Sequence, residues 1–153
     1  MRVANGNVRG FTNDGIRTIA QYLSVSDMLV TSNGRIGIYA DIAGSPANTV
    51  SGASIANSKA TSNGYEGIRC DADCRVENSL ASKNGDTGIT FTGIGGLALG
   101  NIANSNTVGS GIYFGAPGGA GNNTAVGNGG AEIGGDFIAL QPNACDPACL
   151  PVP

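Results

Sequence analysis

A short motif recurs along the chain, and it limits the possible folds more than any other feature. Ser32-Asn33-Gly34-Arg35-Ile36-Gly37-Ile38, Ser62-Asn63-Gly64-Tyr65-Glu66-Gly67-Ile68 and Lys83-Asn84-Gly85-Asp86-Thr87-Gly88-Ile89 are three copies of it. Weaker copies end at Ile16, Ile112 and Ile133. Successive Ile are separated by 22, 30, 21, 23 and 21 residues. The long spacing holds an insertion around Gly44-Ser45-Pro46-Ala47-Asn48, so the basic period is about 22 residues.

Counting from each Ile exposes further columns. Thirteen residues before it lie Val3, Val25, Ile55, Val76, Leu99 and Ala120, and eight before lie Val8, Val30, Ala60, Ala81, Asn104 and Ala125. Eleven before lie Asn5, Asp27, Asn57, Asn78, Asn101 and Asn122, and five before, Asn33, Asn63, Asn84 and Asn128 recur. Two after lie Thr18, Ala40, Cys70, Phe91, Phe114 and Gly135. Aliphatic and polar columns alternate with period two, which is strand patterning, and the Asn-Gly pairs between them are turn chemistry. One such unit cannot bury its own apolar face. Stacking unit on unit buries it and pairs each strand with its copies above and below. The expected fold is all-β: a right-handed parallel β-helix (solenoid) of about six coils over residues 1–140, with residues 141–153 as a C-terminal Pro- and Cys-rich cap. The Asn column at minus eleven is expected to stack as a side-chain amide ladder. Leu is too sparse for a leucine-rich repeat. Gly134-Gly135-Asp136 is a lone fragment of a calcium-binding β-roll, and Thr90-Phe91-Thr92 a lone fragment of a flat Thr-x-Thr face.

Composition narrows the chemistry. The chain has no His and no Trp, so a Ser-His-Asp or Cys-His machine and a His-ligated metal are excluded within it. Only 12% of residues are charged, and the net charge is -3, a poor basis for gripping nucleic acid. No apolar run approaches a membrane span, and neither a cofactor nor a metal site is expected. All eight basic residues precede residue 84. No export signal is visible, as Met1-Arg2 leads straight into the repeat, so the signal is expected elsewhere or already removed.

Asn-Gly-x-x-Gly-Ile preceded by a Val-x-Asn strand resembles bacterial right-handed β-helix repeat proteins of the pectate-lyase-like superfamily. The resemblance covers roughly residues 3–140 and implies the fold. It does not select among lyases, hydrolases, epimerases, tail spikes and non-catalytic rods that share it.

Two Cys-x3-Cys pairs stand at Cys70, Cys74 and at Cys145, Cys149. Two local disulfides are the preferred reading, with free thiols and a four-thiolate zinc site as alternatives. Three coil rises separate the pairs by ~14 Å, which disfavours zinc. Disulfides would place the protein outside the cell or on its surface.

Strand alternation puts Arg17, Tyr39, Arg69 and Tyr113 beside Asp41 and Asp71 on one outer face. Such a strip can bind a polysaccharide, with ring faces on aromatics and hydroxyls on fixed polar groups. It can equally be a solvated face of cross-coil ion pairs. Asp41 and Asp71 on adjacent coils could approach the ~5 Å of a retaining glycosidase, with the insertion at 42–52 walling a cleft, but no catalytic motif is present. The expectation is therefore a non-catalytic rod, structural or for surface display, able to self-associate through an uncapped N-terminal coil presenting Val3, Asn5 and Val8. The alternative is an extracellular polysaccharide-binding or polysaccharide-processing (lyase- or hydrolase-like) module working near Arg69.

If the Ile column lies inside, Ile68→Asp or Ile89→Asp should abolish folding, since an unpaired carboxylate in a narrow core costs several (~3–5) kcal/mol. Far-ultraviolet circular dichroism reads this, as loss of a β spectrum in which helix is nearly absent.

Overall fold

The computed structural model describes residues 1–41, 52–146 and 149, and it is an all-β solenoid of about six turns. The insertion expected around Gly44–Asn48 lies outside the described residues, as do residues 147, 148 and 150–153 of the tail. In chain order the strands are β1 (Arg2–Arg9), β2 (Ile16–Ile19), β3 (Ser24–Thr31), β4 (Ile38–Asp41), β5 (Ser54–Ala56), β6 (Lys59–Thr61), β7 (Ile68–Cys70) and β8 (Arg75–Glu77). Then follow β9 (Leu80–Ser82), β10 (Ile89–Phe91), β11 (Gly96–Leu99), β12 (Ile102–Asn104), β13 (Ile112–Gly121), β14 (Thr124–Val126), β15 (Ile133–Ala139) and β16 (Ala144–Asp146). Every pairing among them is parallel.

The strands form three faces. The first runs through β1, β3, β5, β8, β11, β13 and β15. The second runs through β1, β3, β6, β9, β12, β14 and β16. The third runs through β2, β4, β7, β10, β13 and β15. Ala144–Asp146 adds a rung to the second face beyond residue 140.

The third face stacks all six motif Ile, Ile16 through Ile133, in register. They are 9% exposed at Ile16 and 0% at the other five. The second face contributes Val30, Ala60, Ala81, Ala103 and Ala125, and the first Val25, Ile55, Val76, Ala98 and Ala120, all at 0%. Leu99 and Asn104, expected in these columns, each sit one residue out of place. Their coil carries six residues rather than five from its ladder Asn106 to Ile112, and the surplus residue lies in the turn. Turns absorb insertions, whereas a paired strand cannot without turning its side chains over.

The amide ladder exists, but not at minus eleven. That column holds the corner between the first and second faces. Asn5, Asp27, Asn57, Asn78 and Asn122 there adopt φ of 49–58°, and Gly100 takes the same place at 64°. Asn and Asp are tolerated in this left-handed region, and their side chains point to solvent. The main ladder is the minus-five column, completed by Asn106: Asn33, Asn63, Asn84, Asn106 and Asn128. Each side-chain NH2 donates to the next Asn Oδ1 at 2.8–3.1 Å, and each backbone N–H donates to the same oxygen at 3.0–3.2 Å. A shorter ladder, Asn101–Asn123–Asn143, lies one residue beyond the corner and is preceded by Ser58 and Ser79.

Close stacking of the turns and their ladder explains both glycines of the motif. A Cβ on Gly64 or Gly85 would fall onto the carbonyl oxygen of the glycine one coil below. On Gly37, Gly67 or Gly88 it would sit 2.6 Å from the ladder Nδ2 of the next coil. The motif is thus the sequence form of a turn stacked on copies of itself.

Where the third face turns into the first, each rung fills the same small volume differently. Phe91 faces Gly96 and Phe114 faces Gly118, and Cβ atoms on those glycines would lie 2.7 and 2.5 Å from the rings. In the last rung the order is reversed, Gly135 against Phe137, and the ring enters from the opposite wall. The three rings stack at centroid distances of 4.8 and 5.6 Å. In the rung below, Cys70 and Cys74 occupy that volume, at 0% and 2% exposure.

Two substitutions test this packing. Cys70→Phe with Cys74→Gly should restore a Phe/Gly rung and stay closer to reduced wild type than the sum of the single changes, by about 1 kcal/mol or more. Thermal unfolding under reducing conditions decides it. Asn84→Ala, which strands the donors of Asn63, should cost about 3 kcal/mol in denaturant unfolding.

Candidate functional site

On the third face the residue after each Ile points outward. Arg17, Tyr39, Arg69, Thr90, Tyr113 and Gly134 therefore form one column in register. Rungs of a parallel sheet are ~4.8 Å apart, so long side chains in such a column must touch. Tyr39 lies between two guanidinium groups, with the Cζ atoms of Arg17 and Arg69 each 5.2 Å from its ring centroid.

Carboxylates lock this stack. Asp41, 4% exposed, accepts from Arg17 Nη2 at 2.6 Å and Nε at 3.1 Å. Asp71 accepts from Tyr39 Oη at 3.1 Å, Thr92 Oγ1 at 2.9 Å and Arg69 Nε at 3.4 Å. Arg69 Nη1 reaches Glu66 Oε1 at 3.4 Å. Two cations meet three carboxylates, so the cluster carries one negative charge in excess.

The structure thus joins Arg17, Tyr39, Asp41, Arg69 and Asp71 in one network. Tyr113 stands apart, two rungs above Arg69, with 43% of its surface exposed. Thr90 between them is 7% exposed, and its hydroxyl has no partner. Sequence reading missed Glu66 as a member. It sits in the turn two residues before Ile68, where strand alternation says nothing, and its one signal is an acid three residues before an arginine.

The Arg17 guanidinium is held charged by its hydrogen bond to Asp41. Burial lowers the pKa of Arg69, but Tyr39, Glu66 and Asp71 outweigh it and the net direction is upward. Neither arginine is poised to take a proton. Burial, followed by the charge of Asp71, pushes Tyr39 up to about 12.

Hollows of about 400 and 270 Å³ lie away from the strip, one at the C-terminal end beside Phe137 and Cys149, the other along Ser58, Ser79 and Ile102. The cleft wall expected from residues 42–52 falls outside the described residues except for Gly52.

Cys70 and Cys74 place their sulfurs at bonding distance with Cα atoms 5.9 Å apart, and Cys145 and Cys149 do so at 5.4 Å. No group of three or more metal-ligating side chains forms among the described residues. No helix there is long and apolar enough to cross a membrane.

The Tyr39 environment has a pH signature. The unfolded tyrosine ionises near 10, so the folded chain holds this proton more tightly. The associated stability is complete below about pH 10 and is lost as pH rises toward 12. The tyrosinate absorbance difference between wild type and Tyr39→Phe should titrate with a midpoint near 12. A midpoint near 10 would mean that the ring stands free in water.

No protein-family model and no curated protein matches the chain.

Proposed function

We propose that this chain is a non-catalytic β-solenoid rod, a structural or surface-display element of a bacterial extracellular or cell-surface protein, of the right-handed pectate-lyase-like kind. One observation carries the reading: the charged residues of the outer strip are engaged with one another. Asp41 holds Arg17, and Asp71 holds Tyr39, Thr92 and Arg69, where a glycosidase or lyase would need a carboxylate or base directed at substrate. The two cysteine pairs at bonding distance fit an oxidising compartment.

Such rods would meet through their first coils, where Val3 and Val8 pack against the core only partly buried. Sedimentation across a wide concentration range tests this. Association that weakens on Val3→Lys with Val8→Lys supports it, and a strict monomer at high concentration opposes it.

A second reading has its own observation. The exposed ring of Tyr113 lies in line with Arg69, an arrangement suited to stacking on a sugar ring. The excess negative charge points to a neutral polysaccharide rather than a uronic one. A glycan-array screen of wild type and of Arg69→Ala with Tyr113→Ala separates the readings. Binding to a neutral glycan that falls at least about tenfold in the double variant supports a glycan module. No binding, or binding that survives, leaves the rod.

A further inference from the structure

We infer that Glu132 is a built terminator of the asparagine ladder, closing the C-terminal end of this corner against the stacking of a second copy of the solenoid. The residue before each motif Ile is Gly15, Gly37, Gly67, Gly88 and Gly111, and then, in the last coil, Glu132. The five glycines are obligatory: a Cβ on any of them would lie 2.6–2.7 Å from the Nδ2 of the next coil's ladder residue. At Glu132 a side chain fills the space that the next coil's asparagine would need.

That side chain does the work of the missing asparagine. In the lower coils the backbone N–H and side-chain NH2 of each ladder residue point upward to the next Oδ1. At the top, Glu132 Oε1 accepts from the backbone N–H of Gly127 at 2.9 Å and of Asn128 at 3.3 Å, while Oε2 accepts from Asn128 Nδ2. Glu132 as a whole is 3% exposed. Aligned amides polarise one another and leave their donor ends at the top, so an anion there makes charge-assisted bonds with the last of them.

A second copy could not replace it. In the coil below Asn33 the ladder place is held by Phe11, which offers a backbone N–H to Asn33 Oδ1 at 3.1 Å and no side-chain acceptor. A first coil laid on the C-terminal end would meet Glu132 sterically and bring no amide oxygen for Asn128. The terminator acts whichever ligand the third face takes.

Residue-resolved amide hydrogen exchange tests this, on wild type, Glu132→Met and Glu132→Gly over a hundredfold range of protein concentration. In wild type, the amides of Gly127 and Asn128 should be as protected as those of Asn84 and Asn106 at every concentration. Both variants should exchange at Gly127 and Asn128 at least about tenfold faster while Asn63 and Asn84 are unchanged, because acceptors are lost only at the top. Glu132→Met keeps the side chain's length without an acceptor oxygen, so the test survives if the glycine variant folds poorly. Unchanged exchange at Gly127 and Asn128 in both variants would overturn the inference. So would protection across Ile133–Ala139 in wild type that rises with concentration, since that would place another copy on this end.

Discussion

The hydrogen bonds between buried asparagines of successive coils are what the rest of the solenoid depends on. From Asn63 to Asn128 each ladder Oδ1 receives two N–H groups from the coil below, and from Asn33 to Asn106 each Nδ2 passes one on to the coil above. Asn84 is 0% exposed and Asn33, Asn63 and Asn106 nearly so, so no water can substitute for a missing partner. A made bond of this kind contributes only about 1 kcal/mol, but an orphaned one costs ~1–3, and the difference is what fixes register. Slipping one coil by a residue would orphan its ladder bonds to the coils above and below together. The glycines on either side of the ladder follow, as do the inward Ile and the outward column beyond it.

How much of this can be read from the sequence depends on distance from the motif. The Ile column and the one two residues on are counted over a rigid strand, so both were legible, down to Phe91 and Phe114. Columns counted backward cross a turn, and there Leu99 stood in for Ala98 and Asn104 for Ala103. The ladder was misplaced for a different reason. Asparagine serves in this fold as a left-handed corner residue and as a buried amide, and the two uses look alike in a column. Asn57 and Asn78 turn the chain, while Asn63 and Asn84 hold the coils. Only burial separates them, and burial depends on the stack.

The outer strip was legible as a set of positions but not as a network. Alternation places Arg17, Tyr39 and Arg69 on one face without saying which carboxylate each will find. Asp71 serves Tyr39 from the rung below, Thr92 from the rung above and Arg69 from its own. Glu66 enters from a turn. A stack at ~4.8 Å spacing brings every long polar side chain within reach of two neighbours. Neutralisation within the face is then the ordinary outcome. A face built to hold a ligand would have to leave a reachable group unanswered; the Thr90 hydroxyl is unpartnered but buried, and Tyr113 is the exposed ring of the column.

Coils of one solenoid need not carry the same residues, provided each rung answers the same local demand. At the corner from the third face to the first, the demand is a volume. It is met by Phe with Gly twice, by Gly with Phe once and by a pair of cysteines once. At the ladder, the demand is an acceptor above each upward-pointing amide. Four rungs meet it with asparagine, and the top meets it with Glu132 in a glycine's position. Both departures from the repeat look like noise in a column of aligned residues. Both become required once the rung is treated as the unit, because close packing and hydrogen-bond satisfaction act on the sum of a rung's residues rather than on any one of them.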